Sequence, residues 1–168
     1  MVEFMNKVIE FNKLLDWKKE IQQSNKKLVV AIGSFDILHV GHVLYLQEAK
    51  RMGDILLVGI NDDVTIKKLK GEGRPINNEN IRITMLAALS CVDFICVYRD
   101  ETATSLLTLM APDIYVKGGD YNMTTLNQKE KAFLENIGAK IAITPLIEGV
   151  STSLILERIY RELHKTNC

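Results

Sequence analysis

Five short apolar runs constrain this chain more than any other feature. They are Leu28–Ile32, Ile55–Ile60, Phe94–Val97, Ile114–Val116 and Ile141–Ile143, and no charged residue interrupts any of them. A run of this kind has no polar face to give to water, so it reads as a strand buried on both sides. The stretches between them read as helices, at about 41–52, 62–69, 78–90, 102–110 and 127–137, with a last one from near Ser151 to about His164. Strand and helix in alternation imply parallel strands joined by right-handed crossovers. The expected fold class is therefore α/β: an open, parallel, five-stranded sheet with helices on both faces.

Residues 1–27 read as an N-terminal helical extension, and 28–168 as a single domain. Val8, Phe11, Leu14, Leu15 and Ile21 recur near helical spacing, with Trp17 either in the same packed stripe or at a dimer contact. Glu3, Lys7, Glu10, Lys13 and Asp16 break up the first segment, so it does not read as a secretory signal. No run approaches the roughly 20 apolar residues of a membrane span. The three cysteines, Cys91, Cys96 and Cys168, show no C-x-x-C spacing and read as free thiols of a cytoplasmic protein. Lys plus Arg equal Asp plus Glu at 21 each, which argues against a nucleic-acid partner. That balance leaves room for a small anion held by a few local groups.

Such a local site is visible at the end of the first run. Gly33-Ser34-Phe35-Asp36 and His39-Val40-Gly41-His42 follow it directly, and a helix begins there. Ligands of open α/β sheets bind beyond the carboxyl ends of the strands. A helix N-terminus there offers unpaired N–H groups and the positive end of a dipole. Gly41 lets a phosphate approach the backbone. His39 and His42 can both donate to it, and a protonated one adds charge. Chance, a metal pair or two plain surface histidines are the competing readings of H-x-x-H alone. A metal site is disfavoured because the remaining histidine, His164, lies far along the chain. Neither a G-x-G-x-x-G fingerprint nor a Walker A motif is present.

The segment 33–42 resembles the H-x-G-H signature of the cytidylyltransferase-like nucleotidyltransferases, and the resemblance extends from about residue 28 to 159. It implies a Rossmann-like sheet of the HIGH type. Leu69–Asn77, Val116–Tyr121 and Gly149–Ser153 are similar to the branch that joins AMP from ATP to D-glycero-β-D-manno-heptose 1-phosphate, giving ADP-heptose for lipopolysaccharide. That resemblance implies catalytic roles for His39, His42 and Lys70. It implies nucleotide contacts from Gly33, Ser34, Phe35, Gly41, Lys117, Gly118, Asp120, Ser151 and Thr152. It implies acceptor or phosphate contacts from Asp36, Arg74 and Arg82. Mg²⁺ would enter with ATP, with no protein ligand assigned to it. A homodimer is expected, without a membrane partner, and a separate sugar kinase would act upstream of what looks like a stand-alone form.

Several positions keep two readings. Ser151 is either a helix cap or a phosphate ligand, and Lys117–Asp120 either a turn or a nucleoside cradle. Asp36 either serves the site or shapes a turn. Lys67 and Lys68 lie near enough to Lys70 to be the functional lysine instead. The stretch Lys70–Asn77, with two glycines and a proline, reads as a mobile loop that brings Lys70 to the triphosphate on closure. Glycerol-3-phosphate cytidylyltransferase is the nearest alternative, but that branch carries Arg-Thr where Leu146 and Ile147 stand here. Pantetheine-phosphate and nicotinamide-mononucleotide adenylyltransferases lack the 70–77 and 117–121 stretches. A non-catalytic nucleotide-binding regulator is the alternative from another class.

Overall fold

The computed structural model describes residues 6–119, 124–145 and 147–165. The strands are β1 (Leu28–Gly33), β2 (Ile55–Asn61), β3 (Phe94–Tyr98), β4 (Ile114–Gly118) and β5 (Lys140–Thr144). They form one parallel sheet in the order β3-β2-β1-β4-β5. Strand order reverses at β1, which lies between β2 and β4. The helices are α1 (Leu14–Gln23), α2 (Val40–Arg51), α3 (Asp63–Lys70), α4 (Glu79–Ala87), α5 (Thr104–Met110), α6 (Gln128–Asn136) and α7 (Thr152–Lys165).

The two-residue period of the strands divides the core into two layers. Val29, Ala31, Leu56, Val58, Ile60 and Val116 face α2 and α4, where Leu46, Ala49, Ile83 and Leu86 meet them. Leu28, Val30, Leu57 and Tyr115 face the other way, onto Leu14, Leu106, Leu107, Met110 and Leu134 of α1, α5 and α6. All seven residues of β2 are buried, as the unbroken apolar run required.

The N-terminal segment differs from the expected single helix. Val8 forms a parallel bridge to Ile95, and the Ile9 N–H donates to the Ile95 carbonyl at 2.9 Å. Helix α1 begins only at Leu14, after a 3₁₀ turn at Phe11–Lys13. The edge strand β3 has open backbone groups there, and pairing them outweighs helical spacing. Trp17 belongs to the packed stripe, edge-on to Phe94 with ring centroids 4.8 Å apart.

Helix α7 stands apart from the others. Its apolar residues fall on one stripe, yet none of its residues is buried. Leu154, Ile159, Tyr160 and Leu163 are all exposed.

Candidate active site

A cleft of about 870 Å³ runs along the carboxyl edge of the sheet. Strand parity places its walls. Lys117 follows Tyr115 on the α5–α6 side, whereas Gly118 follows Val116 on the α2 side. The cleft thus crosses the edge of the sheet from one helical layer to the other, passing over β1.

On the α2 side, the chain leaves β1 through Phe35, which takes a left-handed φ of 46° while its ring is buried. That ring lies edge-on to His42, centroids 5.1 Å apart. It also fills the space over Gly33, where a Cβ would stand 2.9 Å from it. His39 caps α2: its Nδ1 accepts the His42 N–H at 3.4 Å. An accepting Nδ1 leaves Nε2–H of a neutral ring as the donor. The two imidazoles stack with centroids 3.7 Å apart. Gly41 makes room for this stack as well as for a ligand, since a Cβ there would sit 3.1 Å from the His39 ring.

Burial lowers the pKa of both histidines. His42 falls to about 4, by burial first, then by the positive charges of His39 and Lys70, against an opposing backbone contact at Ile37. His39 shifts down through burial alone. Both shifts favour the neutral imidazole over the protonated histidine that the sequence allowed. Lysine supplies the charge instead.

Lys70 is the last residue of α3, not part of the loop, and its Nζ donates to Ser34 Oγ at 2.6 Å. It lines the cleft, whereas Lys67 pairs with Glu72 at 3.1 Å outside it. Burial lowers the Lys70 pKa, as does Arg74, and Asp36 opposes them.

The stretch from Arg74 to Asn77 is tied down rather than loose. Buried Asp36 accepts the N–H groups of Ile76 at 2.8 Å and Asn77 at 2.9 Å, and pairs with Arg74 at 2.9 Å. Asn77 Nδ2 returns a bond to the Asp36 carbonyl at 2.7 Å. Of the two readings of Asp36, this is the structural one. Arg82 is also part of the frame. Its buried guanidinium donates to the carbonyls of Ser34 and Asn61 and to Asp63, each at 2.8 Å. It links the ends of β1 and β2 to the start of α3. Asp36, Arg74 and Arg82 do not line the cleft, and their side chains hold the turns that form it.

The opposite rim comes from β4 and α7. Lys117 and Gly118 line the cleft, with the Lys117 ammonium 5.7 Å from the Tyr115 ring centroid. Burial lowers the Lys117 pKa and the nearby Glu130 carboxylate raises it. A Cβ on Gly118 would stand 2.8 Å from Tyr45. Asp120 lies outside the described residues, as do Leu146 and Cys168. Ser151 caps α7, its Oγ accepting the Leu154 N–H at 3.1 Å. With Thr152 and Ser153 it brings a second helix N-terminus to the cleft. Cys91 and Cys96 are free thiols away from the cleft wall.

Sequence reasoning passed over Asn61, Tyr98, Glu101, Thr102 and Glu130, all on the cleft wall. Asn61 and Tyr98 end β2 and β3, and Glu101 and Thr102 follow β3. The rule that ligands sit beyond the carboxyl ends of strands covers these positions too. Glu130 carried no such signal, being brought in by the packing of α6 on α5. Its Oε1 accepts the Ala103 N–H at 2.7 Å, and its Oε2 accepts Tyr115 Oη–H at 3.2 Å.

Known proteins share this arrangement. The chain is 41% identical over 158 residues to the "Bifunctional protein HldE" of Syntrophotalea carbinolica, a match covering 94% of the chain and 32% of that protein. The protein of the same name from Helicobacter hepaticus is 44% identical over 156 residues, covering 93% of the chain and 31% of the relative. The chain thus spans about a third of the length of these curated relatives. A crystal structure described as the lipopolysaccharide core biosynthesis protein from Thermoplasma volcanium GSS1 superposes with a TM-score of 0.60 at 29% identity, covering 73% of this chain and 98% of that one. With a match to the Cytidylyltransferase-like family over residues 30–158, the strand, H-x-G-H segment and cleft described above place the chain in that family.

Proposed function

We propose that the protein transfers AMP from ATP to D-glycero-β-D-manno-heptose 1-phosphate, releasing pyrophosphate and ADP-heptose. The observation that carries the reading is Lys70. Its ammonium rests on Ser34 in the same cleft as the His39–His42 pair and the α7 N-terminus. Two anions have to meet in such a site, and these groups suit that task.

In this reading the triphosphate lies against His39, His42 and the N-termini of α2 and α7. The nucleoside lies along Lys117 and Gly118. The acceptor phosphate comes to Lys70 and Ser34. One of its oxygens attacks the α-phosphorus of ATP in line, the bond to the β-phosphate oxygen breaks, and pyrophosphate leaves with that electron pair. The acceptor is already an anion near neutral pH, so no strong base is required. Catalysis is positioning plus stabilisation of charge spreading over the α-phosphate and leaving group. Neutral histidines serve as hydrogen-bond donors to those oxygens. Mg²⁺ would neutralise part of the triphosphate charge. No protein ligand is assigned to it in this reading.

The heptose part of the reading is supported by the 69–77, 116–121 and 149–153 stretches, and its place in lipopolysaccharide synthesis by the description of the Thermoplasma volcanium structure. Bifunctional relatives about three times as long also fit an acceptor made by a separate kinase activity. A homodimer in the cytoplasm completes the proposal. Among the described residues no helix is long and apolar enough to cross a membrane.

The test is pyrophosphate release with ATP or CTP against the heptose 1-phosphate or glycerol 3-phosphate. The highest kcat/KM is expected for ATP with the heptose 1-phosphate. Higher efficiency with CTP and glycerol 3-phosphate would replace the acceptor and nucleotide assignment while leaving nucleotidyl transfer. No release with any pair, alongside tight ATP binding, would favour a regulator.

A further inference from the structure

Two carboxylates, Glu101 and Glu130, stand on the wall of a cleft built for two anions. Glu101 is exposed, and among the described residues its carboxylate makes no ion pair or hydrogen bond, so it is free to accept from a ligand. Buried Glu130, by contrast, is held by two donors, and Asp36 by two N–H groups and an arginine.

The backbone around Glu101 is fastened at three points. Asn61 Nδ2 donates to the Asp100 carbonyl at 2.9 Å, and Thr65 Oγ1 to the Arg99 carbonyl at 3.0 Å. On the far side, Ala103 N–H donates to Glu130 at 2.7 Å. A side chain presented from a fixed loop can select a ligand rather than merely meet one. Beside it Thr102 adds an exposed hydroxyl, its Oγ1 3.0 Å from Thr104 Oγ1.

Place in the sheet separates this loop from the nucleotide groups. Lys117 and Gly118 end β4, and Ser151 and Thr152 follow β5. Glu101 follows β3, at the opposite end of the order β3-β2-β1-β4-β5. Lys70, which follows β2, lies between them. An acceptor with its phosphate on Lys70 would extend its other end toward Glu101. A carboxylate there repels phosphate but accepts strongly from hydroxyl groups.

Resting on the reading of the acceptor as a sugar phosphate, we propose that Glu101, with Thr102 beside it, is a specificity-determining residue that accepts hydrogen bonds from the acceptor's hydroxyls. It selects a polyhydroxylated phosphate over a plain one. The proposal adds a residue role that the nucleotide and phosphate contacts above do not contain.

The test compares D-glycero-β-D-manno-heptose 1-phosphate with ethyl phosphate in wild type and Glu101→Ala, using full-length protein, ATP and Mg²⁺. Losing a hydrogen bond to a charged group is worth roughly 10-fold to 100-fold. The KM for the heptose phosphate should rise by that factor. The ratio of kcat/KM values between the two acceptors should collapse by the same factor. The Kd for ATP, with and without Mg²⁺, should stay within about twofold, an allowance well below the effect expected of a charged hydrogen bond. Thermal melting should be unaltered, since the side chain has no internal partner to lose. An unchanged acceptor ratio overturns the proposal. So does a parallel loss of ATP affinity, which would assign the carboxylate to the ribose or the metal. A wild-type protein that turns over other phosphates but no sugar phosphate overturns the reading of the acceptor, and this inference with it. That failure is seen without any variant, so the two are distinguishable.

Discussion

Two imidazoles stacked at a helix N-terminus are the donors to the transferred phosphate in the proposed reaction. Removing either should lower turnover by roughly 10²-fold or more, the usual cost of one transition-state donor. His39→Ala and His42→Ala, assayed by pyrophosphate release with folding checked by circular dichroism, should each show this. Wild-type turnover would remove that histidine from the site. His42 also makes a stability prediction. Its folded pKa is about 4, below the ordinary value near 6.5 for an unfolded chain. Between those values the unfolded state holds a proton that the folded state refuses, so stability rises with pH across that window. Falling pH should therefore cost the wild type stability from about 6.5 down to about 4 through this group. His42→Asn should lose that part of the acid sensitivity, read as a smaller drop in Tm between pH 7 and pH 5 than in wild type. The identities of these residues were legible in the sequence. Their protonation was not, because it depends on burial beneath Phe35 and on a lysine 28 positions away.

At the scale of elements, the strands were legible because a strand buried on both faces leaves an uninterrupted apolar run. The loop after α3 was not. Its glycines and proline describe a chain free to bend, while the carboxylate that fixes it belongs to Asp36, some 40 positions earlier. Long-range polar pairing leaves no periodic trace. The partners of Arg74 and Arg82 were hidden for the same reason, since a basic residue near a phosphate motif does not announce a distant carboxylate or carbonyl. Asp36→Ala should destabilise the protein by about 3 kcal/mol, the lower end for removing one partner of a buried ion pair. Denaturant unfolding measures it, and a loss under about 1 kcal/mol would show the staple to be dispensable. Lys70 behaves differently from the loop reading as well. Its ammonium rests on Ser34 from the last turn of a helix. Lys70→Ala should therefore raise the acceptor KM by roughly 10-fold to 100-fold, the worth of a charged hydrogen bond, and lower turnover, with the Kd for ATP little changed. Turnover falling alone, with the acceptor KM intact, would restore closure as the step that brings the lysine in.

For the molecule as a whole, the sheet and its two layers carry the stability, while the cleft borrows one wall from a helix outside both layers. None of the residues of α7 is buried, yet Ser151–Ser153 at its start line the cleft. Local stability follows buried apolar contact. Amide hydrogen exchange should rank α7 well below β1 and β2 in protection, and ATP should slow exchange chiefly in its first turn. Equal protection in α7 and β1 without ligand would contradict the contrast. The end of α3 fixes where the chain tolerates a change of length. Lys70 is the last helical residue, and one residue added within α3 would swing it by roughly 100° around the axis. Gly71 and Gly73 follow at φ 90° and 78° with open space around them. Insertions should thus be accepted between Gly71 and Gly73 but rejected within α3. Across a lineage, such indels would leave the helix constant in length while the bend beyond it varied.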